Sequence, residues 1–139
     1  MNPRSRKTRL LGLLPSSLVV TRLPARGKVF HLTFDDGPDP EHTPPVLDLL
    51  ARHGAKATFF LVGNRLDEHP GVVERIVREG HQLGNHSWTH PFMSDLPLAG
   101  QLEEIDRTDR ALARFDGIAR HPFRPPCGVL PANLLLHYA

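Results

Sequence analysis

One cysteine, Cys127, one tryptophan and one tyrosine in 139 residues set the first limits on this chain. A lone thiol excludes an intrachain disulfide framework, so cysteine usage carries no information about compartment. No apolar run approaches the ~20 residues that a membrane-crossing helix requires, which excludes a transmembrane span. The best candidate, Leu10–Val20, is interrupted by Pro15, Ser16 and Ser17. Acidic residues are missing from positions 1–28, which hold seven of the 17 Lys and Arg. The remainder has ten basic against 15 acidic residues, so the body is mildly acidic and the pI of about 9.1 comes from the N-terminal arm. Such a body offers no basic surface for nucleic acid. The arm is either solvated or a contact for a membrane surface or another polyanion. Arg4, Arg6, Lys7 and Arg9 followed by Leu10–Val20 resemble the first two regions of an export signal, but no A-x-A cleavage site follows. The compartment therefore stays open between cytoplasmic and exported or peripheral.

What is present is ordinary globular composition, 40% apolar and 23% charged, at a length suited to one domain. Residues 1–27 read as a basic lead-in and residues 28–139 as the domain. Val29–Phe34 is expected to be a buried strand that runs into Asp35 and Asp36, with Gly37 and Pro38 turning the chain. Thr43-Pro44-Pro45 signals a helix start with Thr43 as cap. Val46, Leu47, Leu49 and Leu50 give that helix its apolar face, and Gly54 ends it. Ala57–Val62 is short, apolar and partly aromatic, as a second buried strand should be. A helix from Pro70 to Gly80 carries Val72, Val73, Ile76 and Val77 on one face, and His81–Gly84 is a third short strand. A long helix runs from Pro97 or Leu98 to about Phe115 with the stripe Leu98, Leu102, Ile105, Leu112 and Phe115. On it, Glu103–Arg107 and Asp106–Arg110 are expected ion pairs one turn apart. Pro122–Phe123 is a fourth strand, and Asn133–Tyr138 begins another helix. Strand and helix alternate, so the class is α/β with parallel strands and crossover helices, about four β/α units. Four units do not close a barrel of about eight strands.

Three clusters follow three different strands: Asp35-Asp36, His86 with His90, and Arg124. In a parallel sheet those strand ends share one edge, so the clusters can converge. Adjacent carboxylates cannot be buried without a metal, a cation or solvent, because stripping them of water is costly. His86 and His90 are four residues apart, which on a helical turn puts both imidazoles on one side; Pro91 disfavours helical geometry at His90, so the turn is expected to be short and local. Two His with one carboxylate is a common catalytic zinc arrangement. Each feature also has a plainer reading. Asp-Gly is frequent turn chemistry, the two histidines can simply flank a core Trp88, and Arg124-Pro125-Pro126 can be a rigid loop with a surface arginine.

Taken together, TFDDGPD, NHSWTH and FRPPCG, in that order after strands, resemble the NodB-like polysaccharide deacetylases, carbohydrate esterase family 4. The resemblance spans about Val29 to Gly128. It implies a distorted (β/α) barrel, present here as a partial barrel. It also implies a metal-dependent amidase that removes N-acetyl groups from polymers of N-acetylglucosamine such as chitin oligomers or peptidoglycan. Zinc is the usual metal and cobalt a frequent substitute, and the partner is an acetylated polysaccharide. By the same resemblance Asp36, His86 and His90 are the metal ligands, Asp35 is the catalytic base and Arg124 holds that base. The oxyanion donor is the backbone N–H of Cys127, where the family carries an aromatic residue. Family members continue to a late Leu-x-His motif whose histidine is the general acid. Leu135-Leu136-His137 fits it by letter but follows Gly128 with no room for the intervening strands, so it reads as a coincidence on the next helix. The expectation is a deacetylase domain incomplete at its C-terminal end. The alternative is a catalytically silent metal- or glycan-binding remnant. Sequence leaves the oligomeric state open.

Overall fold

The computed structural model describes residues 29–138 together with Pro15, Val19 and Val20. Apart from those three residues, the basic arm lies outside the described residues, as does the lead-in boundary. Three strands, β1 (Leu32–Gly37), β2 (Ala57–Leu61) and β3 (Gln82–Asn85), alternate with helices α1 (Thr43–Arg52), α2 (Pro70–Arg78) and α3 (Leu98–Asp116), and α4 (Ala132–Tyr138) follows. The strands pair in parallel in the order β1-β2-β3. The expected fourth strand is only a single parallel bridge between Asn85 and Phe123. The architecture is thus a partial parallel sheet with crossover helices, smaller by one full strand than the alternation predicts.

The central strand carries the core. Phe59 and Leu61 of β2 and Leu83 of β3 are buried with Leu47 and Leu50 of α1, Val73 and Ile76 of α2, and Ala111 and Leu112 of α3. At about 1.5–3 kcal/mol for each fully buried aliphatic or phenyl side chain, this cluster is the main source of stability. The long helix serves two cores. Its C-terminal half faces the sheet, while Leu98, Leu102 and Ile105 pack with Met93, Phe123, Leu130 and Leu134 of α4. Proline at the first turns of α1 and α2 fits positions that need no N–H partner. Gly117, in the left-handed region at φ 74°, ends α3.

Several local expectations are corrected. The first strand starts three residues later than expected and is not buried. It lies at the sheet edge with one neighbour, and Val29 and Phe30 precede it with Phe30 88% exposed. An apolar run there predicts burial, but an edge strand has a partner on one side only. His42, not Thr43, occupies the position before α1, and its side chain makes no capping hydrogen bond. Thr43 is the first residue of α1, and its hydroxyl accepts the Asp39 N–H at 3.0 Å. Leu49 turns outward. On α3 the expected partners are exchanged: Asp106 pairs with Arg120 at 2.6 Å, Arg110 stands 3.8 Å from Glu103, and the Arg107 guanidinium lies over the Trp88 ring at 4.0 Å. Long-range partners outcompete local i,i+4 pairs, which contribute only ~0.3–0.5 kcal/mol. None of the described helices is long and apolar enough to cross a membrane.

Candidate metal centre

Both aspartates sit inside β1, on a bulge. Phe34 pairs with Phe59 and Gly37 with Leu61, so Asp35 and Asp36 together stand opposite one residue of β2. The extra residue bends the strand and re-aims its side chains. Asp36 takes φ 67° to allow this. Asp35 turns toward Arg124, whose Nη1 donates to Asp35 Oδ1 at 2.7 Å and to Thr33 Oγ1 at 2.9 Å. Thr33 and Asp35 share a face because strand side chains alternate. The Arg124 guanidinium also lies over the Phe60 ring at 4.0 Å, which fixes its plane. Asp36 turns the other way. Its Oδ1 is 3.4 Å from His86 Nε2 and 3.1 Å from His90 Nε2, while Arg65 donates to its carbonyl. The two acids thus divide the partners that their chemistry demands, a guanidinium for one and two imidazoles for the other.

The histidines are not on a helical turn. Residues 86–90 form a bend in which Ser87 and His90 have φ of 68° and 59°. Pro91 disfavours right-handed helical geometry at His90, and the Ser87 hydroxyl accepts the His90 N–H at 3.1 Å. The ring centroids end up 5.0 Å apart. His86 is buried, and its Nδ1 lies 2.7 Å from the Arg124 carbonyl. A carbonyl only accepts, so Nδ1 is a donor and Nε2 is the nitrogen that faces Asp36. The bend is docked on the end of β2. Gly63 N–H donates to the Ser87 carbonyl at 2.9 Å and Asn64 N–H to that of Trp88 at 3.0 Å. Glycine is required at 63, because a Cβ there would come within 2.4 Å of the Trp88 ring.

The donor set suits a divalent ion. One carboxylate oxygen and two imidazole nitrogens, from Asp36, His86 and His90, lie within 4.8 Å of one another. This is the two-His, one-carboxylate composition that leaves a coordination place free. The three residues open onto a cavity of about 400 Å³ whose wall also includes Asp35, Arg124, Pro125 and Cys127. The six residues that the resemblance gives a role, Asp35, Asp36, His86, His90, Arg124 and Cys127, therefore border one cavity. Cys127 is exposed there with φ 56° in a short turn, Pro126–Gly128. His137 does not line it. It lies on α4 with its ring 5.2 Å from that of Tyr138.

Sequence reasoning missed the support beneath the cavity. Asn85, fully buried, accepts the Ser87 N–H and donates to the Ile105 carbonyl and to Asp109 Oδ1, all at 2.9 Å. Asp109 in turn meets His121 Nδ1 at 3.1 Å, and His121 Nε2 lies 3.1 Å from Asp116. A signal existed: Asp109 falls four residues after Ile105, on the apolar stripe of α3, where an acid must have a buried partner. Burial opposes a charge on His121, but hydrogen bonds to Asp109 and Asp116 outweigh it, and its pKa is raised above the ordinary histidine value. A raised folded-state pKa stabilises the fold fully below the unfolded value of ~6.5, and that contribution is lost as pH rises through the folded value. His121→Gln is therefore expected to lower the melting temperature more at pH 5.5 than at pH 8.5, measured as paired melts. An equal loss at both pH values would contradict this.

The sequence profile of the family described as polysaccharide deacetylase matches residues 22–139. A peptidoglycan-N-acetylglucosamine deacetylase of Bacillus cereus is 44% identical over 104 residues, 75% of this chain and 38% of its own. The peptidoglycan-N-acetylglucosamine deacetylase PgdA of Listeria monocytogenes is 42% identical over 119 residues, 84% of this chain and 26% of its own. Among solved structures, a peptidoglycan N-acetylglucosamine deacetylase in complex with 4-naphthalen-1-yl-N-oxidanyl-benzamide superposes with a TM-score of 0.75 at 42% identity. That match covers 78% of this chain and 50% of the other. The chain thus spans half or less of the length of these relatives. With the profile matched across the whole described domain and the Asp/His/His cluster in place, the chain belongs to the polysaccharide deacetylase family.

Proposed function

We propose that this chain carries the metal-binding and base-bearing part of a hydrolase that removes N-acetyl groups from N-acetylglucosamine-containing polysaccharide. The observation that supports this best is the division of labour on the β1 bulge: Asp36 faces two imidazoles while Asp35, one residue earlier, is held by Arg124 beside the same cavity. Asp36, His86 and His90 would hold a divalent ion, zinc or cobalt by the N/O donor set. When bound, such an ion polarises a carbonyl and makes water a better nucleophile. Asp35 accepts the proton of the attacking water, and its carboxylate is kept on station by Arg124 and by the side-chain register with Thr33. The backbone N–H of Cys127, on the cavity wall, is the donor proposed for the developing oxyanion. A backbone donor does not depend on which side chain it carries. The domain is assigned to residues 28–139, and the acetylated polymer is peptidoglycan or chitin-like glycan, as the names of the relatives suggest.

The test is acetate release from N-acetylglucosamine oligomers by zinc-loaded protein, against a protein-free zinc blank. Steady release above the blank is expected. Protein that takes up the metal and yet releases no acetate from chitin oligomers or from peptidoglycan would overturn the hydrolase reading, leaving a binding domain.

A further inference from the structure

Glu104 lies on α3, outside the cavity, yet its carboxylate is committed to the loop that carries the two histidines. Oε2 accepts the Trp88 N–H at 2.8 Å and the Thr89 N–H at 2.7 Å, and Oε1 accepts the Thr89 hydroxyl at 2.9 Å. Consecutive backbone N–H groups converging on one oxygen form a concave anion site, and hydrogen bonds to a carboxylate are roughly twice as strong as neutral ones. The same stretch of α3 holds the Trp88 ring, through the Arg107 guanidinium 4.0 Å from its centroid. Gly63 backs the ring on another side. The bend from His86 to His90 contains two non-glycine residues with left-handed φ, Ser87 and His90. Backbone of that kind persists only where its surroundings over-determine it. Ser87 is held by Asn85, and His86 by the Arg124 carbonyl. Between Ser87 and His90 the loop is carried by Glu104 and the end of β2.

We propose that Glu104 is a positioning residue for the metal centre: its carboxylate sets the Trp88–Thr89 backbone and thereby keeps His90 Nε2 within reach of Asp36. This rests on the reading that Asp36, His86 and His90 hold a divalent ion. It differs from a purely structural tie in what it predicts. A tie between loop and helix would change the melting temperature alone, whereas a positioning role changes the ligand field felt by the ion.

Cobalt(II) separates the two, because its visible absorption reports coordination geometry without any need for turnover. Apo protein is titrated with cobalt as wild type, Glu104→Ala and Glu104→Gln, with the melt of each apo protein recorded in parallel. Glu104→Ala is expected to weaken cobalt binding ~10–100-fold, the range seen when outer-shell partners of metal ligands are removed, and to alter the visible band. Glu104→Gln keeps one acceptor oxygen and should fall between the two. A folded Glu104→Ala protein with wild-type cobalt affinity and spectrum overturns the proposal. Should that variant not fold, a folded Glu104→Gln protein indistinguishable from wild type does so. Wild-type protein that binds no cobalt removes the metal reading itself, and that outcome is read before any variant is compared.

Discussion

Protein carrying His86→Ala is expected to lose its zinc on dialysis, with metal affinity down by more than ~100-fold, beyond what removal of an outer-shell partner costs. The size follows from the geometry. His86 is almost wholly buried, its Nδ1 is engaged by the Arg124 carbonyl, and its Nε2 faces Asp36. Its position is therefore fixed before any ion arrives, and nothing else among the described residues joins the cluster as a substitute donor. Truncation leaves one carboxylate and one imidazole, and the Arg124 carbonyl loses its partner. Metal content after dialysis decides the matter, and a cooperative melt shows that the variant is folded. Retention of zinc at the wild-type ratio would mean that the cluster is not the site.

Asp35→Asn should behave in the opposite sense. Metal content is expected to stay at the wild-type level, because Asp35 bonds Arg124 and does not join the three-residue cluster. Acetate release is expected to fall ~10²–10⁴-fold, the usual contribution of a positioned general base. The amide retains an oxygen for Arg124 Nη1, so the local geometry survives, but it cannot take a proton from water. Acetate release within a few-fold of wild type would remove Asp35 from the role of base. The two variants together separate ligand from base at adjacent positions of one strand.

The site was more legible in the sequence than the fold around it. Asp35, Asp36, His86, His90 and Arg124 lie in short motifs whose residue types are demanded by chemistry, and all of them border one cavity together with Cys127. How they get there was not legible. The bulge depends on strand register, Phe34 with Phe59 and Gly37 with Leu61, and no local pattern encodes a register. The i,i+4 spacing of the histidines suggested a helical turn, whereas their approach comes from Ser87 and His90 in left-handed geometry, held by contacts to Asn85 and to the end of β2. Nothing in the sequence distinguishes Glu104 from the other charges on the long helix. Only the folded chain shows its carboxylate facing residues 15 and 16 positions earlier. Val29 and Phe30 misled in the other direction, since apolarity marks a preference for burial and says nothing about whether a neighbouring strand is present to supply it.

Arg124 enters the cavity twice, through its carbonyl on His86 and through its guanidinium on Asp35, a residue 89 positions away in sequence. The proposed proton acceptor and the proposed ion-binding set are therefore aligned through the same loop, which contacts the first strand and His86 at once. Displacing that one loop would disturb both sets of contacts together, so a substitution there is not expected to affect one without the other.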